Sequence, residues 1–349
     1  MSNITKSFLY EFVKRMPKVE LHVHLEGTIN PSTLFELAKQ NNIELPVKTE
    51  TELRNIFKFK NFQHFVEIYN LVTECIKTVD DYELISYQFG CECARQNIHY
   101  AEVTFSIFTN CRTTGLSWQK ILAALNKGRA RAAQEFNINW VWIFDILRDE
   151  PESQKLILDA ILKSKDQGVG GLGLAGSETL FNSDSFIETF EIAHKNKIGI
   201  TTHAGEMAGP KSIWSVINFL HADRIGHGVN CIQDFELIDF LKQKQIPLEI
   251  CPTSNICMGV FPDFKSHPLR KLWDAGLLLT VNSDDPALFD TDLNNEYKIL
   301  VDHFDFNIND LEKISLNGLH ASFLPADQKQ KLDKVFRIEF ANLHKELGI

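Results

Sequence analysis

The residues of this chain best suited to chemistry stand at the ends of short apolar runs. Ile198-Gly199-Ile200 leads into Thr201-Thr202-His203-Ala204-Gly205-Glu206, the pattern of a parallel strand that delivers an imidazole and, past a small turn, a carboxylate to its C-terminal edge. A neutral His203 can ligate a metal, and Glu206 can carry a proton over the same point. Nearer the start, Val19-Glu20-Leu21-His22-Val23-His24-Leu25 alternates strictly. That alternation predicts Glu20, His22 and His24 on one face of a strand and the apolar residues on the other. Two histidines two apart on one strand form a pincer for one ion. Arg224-Ile225-Gly226-His227-Gly228 offers a further histidine at a strand tip, and Leu277 to Ser283 runs into Asp284-Asp285-Pro286.

The elements that must position these groups alternate along the chain. Strands are expected at Val19–Leu25, Tyr100–Phe105, Trp140–Ile146, Gly170–Gly176, the run ending in His203, Arg224–Gly228, Ile246–Cys251 and Leu277–Ser283, the seventh closed by Pro252 and a turn at Thr253-Ser254-Asn255. Amphipathic helical stretches separate them, among them Ser185–Lys195, Pro210–Leu220, Asp234–Lys244 and Pro268–Ala275, and the tail from Ile308 is helical. Eight strand–helix alternations with polar residues at the strand ends describe an α/β fold, a (β/α)8 TIM barrel, as a single domain over residues 1–349. The first strand is followed by a long helical stretch without a clear strand. Residues 31–98 are therefore expected to be a helical insertion that serves as a lid. The glycines of Gly170–Gly176 lie within a strand rather than opening a helix, which sets aside a dinucleotide fingerprint; Gly176 is placed to bring a backbone N–H close to a ligand.

In a closed barrel the ends of strands 1, 5, 6 and 8 surround one mouth, so His22, His24, His203, His227 and Asp284 converge. Imidazoles with one carboxylate and no cysteine suit zinc in a site with room for water. Strand 4 offers only glycine, leucine and alanine to bridge a second ion, so one Zn2+ per chain is expected. The water on such an ion loses its proton near neutral pH and becomes the nucleophile. Glu206 is then the general acid/base; His227, if not itself a ligand, can hold the nucleophile by hydrogen bond and share the electrostatic load with Asp284; and Asp285 is free to bind substrate. The remaining histidines read as background, and Glu249 has no assigned role. A phosphoesterase on the same two-histidine strand would want an Arg or Lys cluster at the mouth, and none is evident.

A formal net charge of −10 over 349 residues argues against a nucleic-acid or anionic-membrane partner. The first residues contain no apolar leader core, and no run of eighteen apolar residues occurs. With seven cysteines and no repeated CxxC pair, reduced thiols and a cytoplasmic location are expected.

Taken together, Glu20-Leu21-His22-Val23-His24-Leu25-Glu26-Gly27, Leu174-Ala175-Gly176, His203-Ala204-Gly205-Glu206, Arg224-Ile225-Gly226-His227-Gly228, Cys251-Pro252-Thr253-Ser254-Asn255 and Asn282-Ser283-Asp284-Asp285-Pro286 make the chain resemble the adenosine deaminase family of zinc amidohydrolases. The resemblance spans almost the whole chain in family order. It implies hydrolytic loss of the 6-amino group of a purine nucleoside as a small-molecule substrate, adenosine or 2′-deoxyadenosine going to inosine or 2′-deoxyinosine plus ammonia. His22, His24, His203 and Asp284 would hold zinc, Glu206 would protonate purine N1, and His227 would orient the nucleophile. Asp285 would meet N7 and the Gly176 N–H would meet N3. Two departures fall on the substrate side. Glu26 stands where the family typically has Asp contacting the ribose 5′-hydroxyl, and Gly173 stands where it usually has Asp. Relatives acting on free adenine often carry Ile-Asp-His-Gly and Cys-Pro-Leu-Ser-Asn, where this chain has Gly226 and Thr253. Gly173 together with Thr291–Tyr297 is similar to deaminases of 6-aminodeoxyfutalosine, an adenosine analogue, which is the alternative substrate; adenine is the third.

Overall fold

In the computed structural model the described residues are 3–59, 61–180 and 183–348. Eight parallel strands pair in sequence order: β1 (Lys18–His24), β2 (Ile98–Phe105), β3 (Asn139–Leu147), β4 (Val169–Ala175), β5 (Gly199–Ala204), β6 (Arg224–His227), β7 (Leu248–Ile250) and β8 (Leu279–Val281). The ring closes just beyond β8, where His24 N donates to Asp284 O (2.9 Å) and Asp284 N donates to His22 O (3.1 Å). The sheet is thus the expected (β/α)8 barrel, and its seam lies at the residues the sequence singles out. Buried on both faces, the strands read as apolar runs broken by inward polar residues.

β1 departs from the expected alternation. Glu20 pairs with Ala101 and Val23 with Val103, so three steps on β1 face two on β2. The extra residue breaks the period of two. It carries Glu20 away from the histidines, and its carboxylate accepts instead from Ser283 N (3.0 Å) and Ser283 Oγ (2.5 Å). The expected turn at Thr253–Asn255 is a short helix, Pro252–Cys257, because Pro252 sits at its first position, where the missing N–H costs nothing. β7 and β8 are shorter than the apolar runs that announce them.

Between β1 and β2 lie the helices Pro31–Gln40, Glu50–Ile56, Phe62–Glu74 and Val79–Arg95. Side-chain caps start each one: Asn30 accepts from Thr33 N, Asn61 from His64 N, and Thr49 and Thr78 form capping boxes with Glu52 and Asp81. Phe65 stacks on Phe289 with centroids 5.6 Å apart, which seats the helix Phe62–Glu74 over the segment that follows β8. Below the barrel, the helix Ile308–Ala321 plugs the floor, with Asn317 Nδ2 donating to Leu279 O (3.0 Å) and Ser315 Oγ to Pro17 O (2.7 Å). Among the described residues no helix is long and apolar enough to cross a membrane.

The helix Val79–Arg95 packs along Trp118–Phe136 at near backbone contact. A Cβ on Gly128 would stand 2.3 Å from Glu83 O and 2.8 Å from Ser86 Cβ. In an exposed helix Gly→Ala stabilises by up to about 1 kcal/mol. Here Gly128→Ala is expected to destabilise by about 1–3 kcal/mol through overpacking, read as a lower urea midpoint at unchanged slope; a raised midpoint would contradict this close approach.

Candidate active site

The structure brings the sequence-predicted ligands together at the mouth. His22 Nε2 lies 3.4 Å and His24 Nε2 3.3 Å from Asp284 Oδ1. The His203 ring sits 4.6 Å from that of His22 and 5.3 Å from that of His24, and the His227 ring is 4.9 Å from His22. The nitrogens of His22, His24 and His203 fall within 4.8 Å of one another, as do donor atoms of His22, His227, Cys251 and Asp284, and of His203, Glu206 and His227. Cys251 is an addition to the sequence reading. Burial raises its thiol well above the ordinary range, as do Asp284 and Glu249, and its Sγ is turned to Glu249 O at 3.5 Å, so it remains protonated.

Local backbone strain and a close approach hold this cluster. His227 (φ 59°) and Asp284 (φ 64°) are both non-glycine residues in the left-handed region, a conformation that persists only where the surroundings over-determine it. A Cβ on Gly226 would stand 2.9 Å from His22 Cε1, so only glycine lets the β6 backbone pass beneath the His22 ring.

His22 is set for ligation from behind. Its Nδ1 donates to Glu249 Oε2 at 2.9 Å, which leaves the Nε2 lone pair facing the cluster, where Nε2 is buried without a partner. Burial alone would raise Glu249; Arg224 beside it, with His22, outweighs that and holds the carboxylate at about 2. Burial likewise opposes charge on His22, yet Asp284 and Glu249 raise it to about 10, while burial takes His24 down to about 3. The carboxylates therefore demand positive charge beside His22 Nε2, which a metal ion would meet in place of a proton. The donor set fits zinc: imidazoles and one carboxylate on rigid strand ends, backed by a hydrogen-bonded second layer.

His227 is governed by a residue the sequence reading left as background. Leu269 N donates to His267 Nδ1 (3.1 Å), so His267 carries its proton on Nε2 and gives it to Asn255 Oδ1 (3.0 Å). Asn255 Nδ2 in turn donates to His227 Nδ1 (3.1 Å). Hydrogen-bond logic then assigns the His227 proton to Nε2, which points into the site 3.6 Å from Glu206 Oε2 and 3.9 Å from Asp284 Oδ2. Burial pushes His267 down to about 3 and lowers His227, so the chain of bonds runs through neutral rings. Both Asn255 and His267 are buried.

Glu206 is placed by another residue that sequence reasoning missed. The Glu178 carboxylate accepts from the backbone N–H groups of Gly205 (2.6 Å), Glu206 (3.0 Å), Met207 (2.9 Å) and Ala208 (3.1 Å) and from Ser212 Oγ. Asn230 Nδ2 closes the turn through Glu206 O at 2.7 Å. Burial works against ionising Glu206, but His227 and His203 outweigh it and lower its pKa, so the carboxylate starts ready to accept a proton.

On the substrate side, Gly176 follows β4 with φ 84°. Asp285 is buried, its carboxyl packed against Gly27, with Oδ1 unpartnered, and burial together with Asp284 and Glu26 raises it well above the ordinary range. Glu26 is fully buried at the turn after β1, accepting from Asn110 Nδ2 (2.8 Å) and Ser106 N (3.3 Å), and burial raises it to about 7.

Comparison with known proteins agrees with this geometry. The family model described as adenosine deaminase matches residues 17–337. The chain is 36% identical over 330 residues to an aminodeoxyfutalosine deaminase of Streptomyces avermitilis, covering 93% of this chain and 91% of that one. It is 34% identical over 322 residues to an adenine deaminase of Wolinella succinogenes, covering 92% and 97%. Among solved structures, an amidohydrolase from Burkhoderia ambifaria with bound Zn superposes with a TM-score of 0.88 at 25% identity, covering 100% of this chain and 96% of that one. The chain belongs to the adenosine deaminase family and is a purine deaminase, an aminohydrolase of the amidohydrolase superfamily.

Proposed function

We propose that this chain is a zinc-dependent aminohydrolase for a 6-aminopurine nucleoside, with 6-aminodeoxyfutalosine as the preferred substrate. The observation that carries the chemistry is one buried mouth where three histidines and Asp284 meet Glu206 and the His227 N–H. Adenosine stands first in the sequence reading, but the relatives above are named for aminodeoxyfutalosine and adenine, and this moves the weight to the first alternative. Free adenine is the second reading, supported by the 34% relative; Gly226 and Thr253 speak for a nucleoside over the bare base.

In this reading His22, His24, His203 and Asp284 hold one zinc ion. Zinc in such a set supplies a Lewis acid and brings the pKa of its water towards about 7. Glu206 takes one proton of the attacking water and passes it to purine N1, which removes aromatic character at C6; the oxygen adds to C6, its remaining proton goes to the 6-amino group, and the C6–N bond breaks to release ammonia. The His227 N–H, held in its tautomer by Asn255, donates to the attacking oxygen. Asp285, which burial keeps protonated, donates to N7, and the Gly176 N–H donates to N3. The helices between β1 and β2, residues 31–98, act as the lid that excludes water. The seven unpaired cysteines favour a reducing, cytoplasmic setting.

Metal analysis of the purified protein is expected to give about one zinc per chain, lost with His203→Ala; two tightly held ions would overturn the single-ion site. Glu206→Gln should retain zinc and lose about 10²–10⁴-fold in kcat, followed by the fall in 6-amino absorbance. Unchanged turnover would remove Glu206 from the mechanism. His267→Ala should lower kcat by about 10–100-fold with zinc retained and KM little moved, and His267→Gln, which restores a donor to Asn255, should recover much of it. Equal loss in both variants would mean that His267 acts only through packing.

A further inference from the structure

The cluster on the substrate side contains a carboxylate that the mechanism does not use. Asp145, on β3, is 2% exposed, and its register partner on β4 is Gly173. A Cβ on Gly173 would stand 2.9 Å from Asp145 Cβ and 3.4 Å from Asp145 Cα. A side chain at 173 and the carboxylate at 145 therefore compete for one space, and glycine concedes it. Asp145 Oδ2 accepts from Ser106 Oγ at 3.3 Å, while Oδ1 is buried without a partner.

Ser106 also gives its backbone N–H to Glu26 Oε1 (3.3 Å), so one serine sits between two buried carboxyls. Glu26 Oε2 and Asp285 Oδ1 are buried as well. The Tyr69 hydroxyl, delivered by the helix Phe62–Glu74, is buried where it feels Glu26, Asp285 and Asp145 together. Burial and the neighbouring Glu26 carboxyl are the largest influences on Asp145 and raise it, with Ser106 opposing them. The Tyr69 hydroxyl lies against Glu26 as a donor, and Asp285 is held protonated, so Asp145 Oδ1 is the acceptor left unserved in this neighbourhood. The complement of that acceptor is a ligand that brings a hydroxyl donor to it. A bare purine brings a ring N–H to this side but no hydroxyl.

Resting on the purine-deaminase reading above, we infer that Asp145, admitted by Gly173, is the specificity-determining residue with which this site recognises the sugar hydroxyls of a nucleoside and so separates nucleoside from free base. The carboxylate accepts from a ribose hydroxyl through Oδ1, with Ser106 steadying Oδ2 and Glu26 beside it.

The test compares kcat/KM for adenosine, 2′-deoxyadenosine, 3′-deoxyadenosine and adenine in the zinc-loaded parent, Asp145→Ala and Asp145→Asn. Asp145→Ala is expected to lose about 10–200-fold on adenosine, mainly in KM, with adenine changed less than about threefold and the penalty for one missing sugar hydroxyl abolished. Asp145→Asn, which keeps the shape and half the acceptor, should lie between and secures the comparison if the alanine variant folds poorly. Equal losses on adenosine and adenine, or deoxy penalties that survive in Asp145→Ala, would overturn the assignment. Calorimetric binding of inosine against hypoxanthine gives a readout that needs no turnover: Asp145→Ala should weaken inosine alone. Should the parent deaminate neither these purines nor 6-aminodeoxyfutalosine while the inosine preference still tracks Asp145, the reaction assignment fails and the sugar contact stands; a preference indifferent to Asp145 overturns the contact itself.

Discussion

Charge buried inside the barrel is the constraint on which the rest of the structure depends. Arg224 is 1% exposed and lies between Glu102 Oε2 at 2.6 Å and Glu249, with Phe323 beneath its guanidinium at 3.7 Å. Burial would lower Arg224, and the two carboxylates outweigh that and raise it. Removing one member of such a set strands the others in a medium that cannot solvate them. The set is also the underside of the site, because the Glu249 that anchors Arg224 is the Glu249 that orients His22. The floor of the barrel and the pincer at its mouth are one electrostatic object, and the inward polar residues of β2, β6 and β7 follow from it.

Above that column the site is built by rigid backbone and then tuned by hydrogen bonds. The seam between β1 and the end of β8 places His24 and Asp284 with two main-chain bonds, so the carboxylate and the histidines share a frame more rigid than any loop. The left-handed backbone at His227 and Asp284 is strain that this frame sustains. Around it, neutral His267, uncharged Asn255 and the Leu269 N–H decide a proton position without placing any further charge near the ligands.

Much of this was legible in the sequence. Barrel strands announce themselves as apolar runs, their C-terminal residues gather at one mouth, and His22, His24, His203, His227 and Asp284 could each be read as a strand-end group before their convergence was seen. What escaped reading depends on partners distant in the chain. Glu249 looked like an arbitrary acid in an apolar strand, because nothing local says that β6 will bring Arg224 beside it and β1 will bring His22 above it. His267 lies outside any strand end, and only the Pro252–Cys257 helix, read as a turn, carries Asn255 to it. Glu20 was misplaced because a one-residue bulge in β1 leaves no mark on an alternating pattern. Asp145 stayed hidden since its meaning lies in the absence of a side chain on the next strand. The substrate was the least legible part, as the motif residues shared across the family say little about what the purine carries.

Glu178 has a mechanical consequence. Its carboxylate belongs to the loop that leaves β4, two residues past Gly176, yet its five donors belong to the turn that leaves β5 and the helix after it. The two loops are thereby clamped as one rigid jaw. A shift of the loop that follows Gly176 is therefore transmitted to the turn that carries Glu206, because hydrogen bonds to one carboxylate tie the two together and must move or break as a group.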